Sequence, residues 1–199
     1  MGFDLYGINP KIKEGTVKPE RPDWNNCSDA ERDEYFEELS KFENENKGYY
    51  FRNNVWWWRP LATYVINHSL CIEKKDIDGW HHNDGLEVNQ KTAEQIAKQL
   101  YHLLNTGAVK KYEDEYNQIR KNAEKHNEKV IKKFKELEKQ VEIATGKKDV
   151  APADYPDRFK KEWDKLWEEK DFRENYPFAE SNVREFADFC KDSGGFTIC

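Results

Sequence analysis

Between Gly48 and Ile72 the chain has no acidic residue. This run, GYYFRNNVWWWRPLATYVINHSLCI, covers 25 residues of a protein with 39 Asp and Glu in 199. The chain average would place about five acids there. Other absences narrow the field. No stretch of about 18 apolar residues exists, so no transmembrane helix is expected. Met1 to Pro10 has neither a basic n-region nor an apolar run, so a signal peptide is not expected. The four cysteines, Cys27, Cys71, Cys190 and Cys199, form no CxxC; reduced thiols in a cytoplasmic setting are the expectation. Cys199 stands last, so a prenylation box is not expected. Basic residues are not in excess: net charge is −6 and pI about 5.5, which argues against an extended nucleic-acid-binding face. No Ser-His-Asp order, nucleophile elbow or Walker loop appears, so no catalytic residue and no cofactor is expected.

What is present offsets a mean hydropathy of −1.10. With 36% charged residues the totals resemble those of disordered chains. Yet 7 Trp, 10 Tyr and 11 Phe are too many for a chain that never packs. The expectation is an aromatic core carrying long, solvated helices.

Phe3 to Ile8 reads as a short strand closed by Asn9-Pro10, and Gly194 to Cys199 alternates apolar with small or polar residues. Together they predict a ribbon pairing the chain ends. Residues 9–27, rich in Pro, Gly and Lys, predict a surface loop. Ser28 and Glu31 form a capping box for a helix running to about Asn46, with Tyr35, Leu39 and Phe42 on one face. Pro60 fits the first turn of a helix that presents Leu61, Tyr64, Val65 and His68. That spacing makes Asn53 to Arg59 the approach to a helix N-terminus, where free amides favour an anion. Residues 76–85 predict a turn-rich loop, and Asp76, Asp78, Asp84 and Glu87 a solvated turn, with Asp84 able to cap the next helix. Thr92 and Gln95 predict a second capping box, followed by an apolar stripe through Ala93, Ile96, Ala97, Leu100, Leu103 and Leu104.

A long helix is predicted from about Val109 to Ala144, roughly 50 Å at 1.5 Å per residue. Its apolar seam steps through Val109, Tyr112, Tyr116, Ile119, Ala123, His126 and Val130, then Phe134, Leu137 and Val141. A return helix over 157–170 carries Phe159, Trp163, Leu166 and Trp167 and can fold back as a hairpin. The last helix spans about 181–192. The predicted class is mainly α with minor β: one globular domain over 1–107 and 171–199, with 108–170 as a protruding, hairpin-like insertion. The unbroken stripe also allows a homodimer through the long helix.

MGFDLYG at the start, GYYFRNNVWWWRPL in the middle, the NDG-L turn before a capped helix, and SGGFTIC at the end form a combined signature. It resembles a family of small proteins carried mainly by bacteriophages and by some bacteria. The resemblance covers about residues 1–8, 48–104 and 181–199, and the stretch from about 108 to 170 lies outside it. It carries no catalytic residues with it. It implies a phage setting: a protein acting in the host cytoplasm against a host enzyme or defence system.

The candidate site residues are Arg52, Asn53, Asn54, Trp56, Trp57 and Arg59. Indole faces stack on flat rings, guanidinium groups pair with phosphate, and Asn amides read polar edges. The opposing reading makes the tryptophans core, with the arginines reaching outward. His68, Cys71, His81 and His82, of types that suit zinc, lie within 15 residues. Their spacing matches no standard finger, so no metal is expected. The leading expectation is a binding protein for a small anionic, nucleotide-like ligand, a sponge for a host immune signal in anti-defence. The alternatives are an inhibitor that docks on a host protein and, less favoured, a metal-dependent hydrolase.

Overall fold

The computed structural model describes residues 2–199. The chain is mainly α with minor β. It divides into two compact units, one comprising the chain up to Glu113 together with Phe178–Cys199, the other Asp114–Pro177.

The first unit is built on a four-stranded antiparallel sheet. Its strands are β1 (Gly2–Gly7), β2 (Tyr50–Asn54), β3 (Leu86–Asn89) and β4 (Gly195–Ile198), in the order β2-β1-β4-β3. The predicted pairing of the chain ends is there: Leu5 lies opposite Ile198. Two further strands extend it, with Leu5 opposite Phe51 and Val88 opposite Phe196. Strand alternation sends Phe3, Leu5, Phe51, Val88, Phe196 and Ile198 to one buried face. Tyr6 and Arg52 stand on the other, exposed.

Four helices accompany the sheet: α1 (Asp29–Glu45), α2 (Val55–His68), α3 (Gln90–Asn105) and α6 (Glu180–Asp192), with the start of α4 (Ala108–Thr145). α3 packs against α6 and β4, and α2 against β1, β2 and α3. α1 begins at the predicted capping box: Glu31 N–H donates to Ser28 Oγ at 3.3 Å, and Ser28 N–H to Glu31 Oε2 at 2.8 Å. It carries eight acids and two bases, so its net charge of −6 equals that of the whole chain. The remainder is neutral on balance.

Two helix starts differ from the prediction. α2 begins at Val55, so Pro60 sits in its second turn rather than its first. Asn54 is the reason: its Oδ1 accepts from the Trp56 and Trp57 amides at 3.0 and 3.1 Å. α3 starts at Gln90 because Asn89 Oδ1 accepts from Thr92 N–H at 3.0 Å, so Thr92 is no N-cap and Asp84 plays no capping role there.

The second unit holds the rest of α4 and α5 (Asp157–Glu169). Val130, Leu137 and Val141 pack with Tyr155, Phe159 and Leu166, as the predicted hairpin requires, with Phe134 and Trp163 beside them. The seam differs at two places, and the first is Ile119, which is exposed. At the second, His126 is exposed, and buried Asn127 takes the inward position. Asn127 Nδ2 donates to the Asp171 carbonyl, and Asn127 Oδ1 accepts from the Asp171 N–H, both at 2.8 Å. No helix among the described residues is long and apolar enough to cross a membrane.

Candidate functional site

The acid-free stretch divides into two halves with different fates. In its first half, Trp58 is fully buried. Its ring stacks on Phe3 at 5.3 Å and on Trp80 at 6.0 Å, and its indole N–H donates to the Trp80 carbonyl at 2.7 Å. Trp56 is 43% exposed and Trp57 half-buried. Asn54 is engaged as the α2 cap. Asn53 Nδ2 donates to Asn182 Oδ1 on α6 at 3.0 Å. Arg52, on the exposed sheet face, lies 3.4 Å from Asp4 Oδ1, which also accepts the Tyr50 hydroxyl. Arg59 is beside His81, whose imidazole is pushed below its usual range first by burial and then by that guanidinium. Of the six predicted residues, Arg52, Asn53, Asn54 and Arg59 therefore serve four different contacts. The hollow that Arg52 lines, about 280 Å³, has Glu43, Glu185 and Asp188 in its wall, a poor setting for an anion.

The second half of the stretch ends in a larger hollow. Beyond the last turn of α2, His68, Leu70 and Cys71 form one wall of a cavity of about 680 Å³. α3 supplies the other wall with Gln95, Lys98, Gln99, His102 and Leu103. Positions 95, 98, 99 and 102 recur at i, i+3, i+4 and i+7, so the helix period puts them on one face. The apolar residues Ala93, Ile96, Ala97, Leu100 and Leu104 are buried on the other side. No lining residue is acidic.

His68 is fixed in place. Its ring stacks on Tyr64 with centroids 4.1 Å apart, and its Nδ1 lies 2.8 Å from the Tyr64 carbonyl. An Nδ1–H donating to that carbonyl leaves Nε2 as the ring's remaining polar atom. Cys71 lies 3.9 Å from the Thr92 carbonyl, and burial raises its thiol above the ordinary range. It is held as a neutral thiol, poor as nucleophile or metal ligand. Among the described residues, Gln95, Lys98 and His102 make no side-chain hydrogen bond or ion pair, and Gln99 Oε1 is buried with no partner.

The metal candidates separate. His68 and Cys71 share the hollow, while His82 lies 3.6 Å from Asp78 and His81 lies by Arg59. Among the described residues no three His, Cys, Asp or Glu side chains gather as a metal ion requires. His68 and Cys71 stand out in the sequence as possible ligands, whereas the α3 wall does not. Its signal was a polar stripe at helical spacing holding a lysine and a histidine.

No protein-family model matches the chain, and no curated protein or solved structure compared with it matches either.

Proposed function

We propose that this chain is a small-ligand-binding protein and that its ligand occupies the hollow between the end of α2 and α3. One observation carries the reading. A cavity of about 680 Å³ is lined by side chains of which Gln95, Lys98 and His102 have no partner within the described chain. Its volume suits a drug-sized molecule rather than a polymer, and pockets of this kind hold polar groups in reserve for a ligand. Binding is favoured over catalysis because the walls offer no carboxylate and the one thiol is held neutral.

In the phage setting that the resemblance implies, such a protein would sequester a nucleotide-type signal of the host. The test is incubation with host extract, followed by denaturation and identification of what is released. Leu103→Trp, which sets a bulky ring into the wall of the hollow, serves as the control. A compound released from the wild type and missing from the variant supports the reading. Equal release from both, or none from either, defeats it.

A second reading, docking on a host protein, has its own observation. Trp167 and Phe172 in the second unit are exposed, lie 5.5 Å apart in edge contact, and share the Lys170 ammonium. Exposed aromatics next to a cation are common binding hot spots. Loss of a stoichiometric complex on Trp167→Ala with Phe172→Ala, unaffected by Leu103→Trp, would favour it.

A further inference from the structure

We infer that the molecule held in this hollow carries one anionic group, bound at Lys98 and His102, on an apolar or aromatic body that covers Leu70 and Leu103. The inference rests on the reading that the hollow is a ligand site.

Charge comes first. Lys98 and His102 stand one turn apart on α3 and face a cavity without a carboxylate. Glu94, one turn before Lys98, is placed for an i, i+4 pair, yet it accepts from Gln90 Nε2 at 2.8 Å. The ammonium has no counter-charge among the described residues. The hollow also lies near the carbonyl ends of α2 and α3, whose dipoles favour cations. Side-chain donors already reach some of the carbonyls there. His68 Nδ1 holds the Tyr64 carbonyl, and the Thr106 hydroxyl donates to the His102 and Leu103 carbonyls at 3.0 and 3.1 Å. The charged side chain left without an ionic partner is Lys98. The acidity of the chain does not oppose it, because α1 alone carries a charge equal to the net −6.

Shape gives the rest. Leu70, just past α2, is 94% exposed at the cavity wall, and Leu103 flanks the hollow from α3. An apolar body placed against both removes their surface from water. Gln95 and Gln99 lie one turn apart on the same face, able to read a polar ring edge. One flat body with one anionic group meets all these demands.

The test uses matched probe pairs that differ in one anionic group: adenosine and its 5′-monophosphate, guanosine and its 5′-monophosphate, benzyl alcohol and benzoate. Each is titrated calorimetrically into the full chain, into Lys98→Ala, and into Leu103→Trp. Lys98 is exposed and alanine suits a helix, so this variant is expected to fold, which circular dichroism checks. In at least one pair the anionic member should bind the wild type about tenfold or more tightly than its neutral partner. Lys98→Ala should bring that ratio close to one while neutral binding stays, and Leu103→Trp should abolish both. Equal binding of both members, or a ratio that survives Lys98→Ala, overturns the charge assignment but leaves the hollow a ligand site. If no probe binds and nothing co-purifies with the wild type, the site and this inference fall together.

Discussion

Trp58 and Trp80 lie 6.0 Å apart with their rings 4° from parallel, joined by the Trp58 indole N–H on the Trp80 carbonyl. Both rings are buried, so this pair is core. Trp58→Ala should cost about 3–5 kcal/mol, the range for deleting a large buried aromatic. Trp56→Ala, two residues earlier and 43% exposed, should cost well under half as much. Urea unfolding of the two variants checks the order.

Gly48 marks where the α1–β2 connection meets the junction between α6 and β4. A Cβ there would stand 2.1 Å from the Asp192 carbonyl and 2.6 Å from the Ser193 nitrogen, all backbone atoms. Neither can yield as a side-chain tip can. Gly48→Ala should therefore lower stability by about 1–3 kcal/mol, as overpacking does, and its thermal midpoint should fall clearly below wild type.

Tyr101 on α3 donates its hydroxyl to Asp188 on α6. Burial, and then the bonded carboxylate, raise this phenol above its ordinary value of 10.0. The folded chain thus favours the neutral hydroxyl. The stability it contributes is whole below pH 10 and is lost as pH rises past that value, where the unfolded phenol ionises first. Tyr101→Phe should lower stability at neutral pH by about 1 kcal/mol and make the alkaline decline shallower. Unfolding midpoints between pH 7 and 11 measure both effects.

Asn127 holds both backbone groups of Asp171 from a buried position. Asn127→Ala would strip a donor and an acceptor from them at once, a loss of about 1–3 kcal/mol for each group left unsatisfied. Hydrogen exchange at the Asp171 amide should accelerate in the variant.

These sites also show how much the sequence disclosed. The terminal strands were legible because Phe3 and Leu5 alternate with Asp4 and Tyr6, a period that only a strand explains. The hairpin was legible because Leu137, Val141, Phe159 and Leu166 keep a helical step. β2 was not, because Tyr49–Phe51 run through Arg52, Asn53 and Asn54 into Trp56–Trp58 with no Gly or Pro to separate strand from helix. Pro60 drew the helix start forward, whereas the Asn54 cap set it five residues earlier. His126 and Asn127 are neighbours, and a seam one position off reads equally well until the Asp171 backbone chooses the amide. The hollow joins His68–Cys71 to Gln95–Leu103, segments more than twenty residues apart, and no local pattern links them. The acid-free stretch runs from the predicted residues at Arg52–Arg59 to the hollow at His68–Cys71.

The most direct measurement is native mass spectrometry of the wild type and Leu103→Trp, each purified from the cells that produce it. The account predicts a wild-type species heavier than the chain by one small molecule and a variant at the bare chain mass. A wild type with nothing attached, or the same added mass on both, would contradict it.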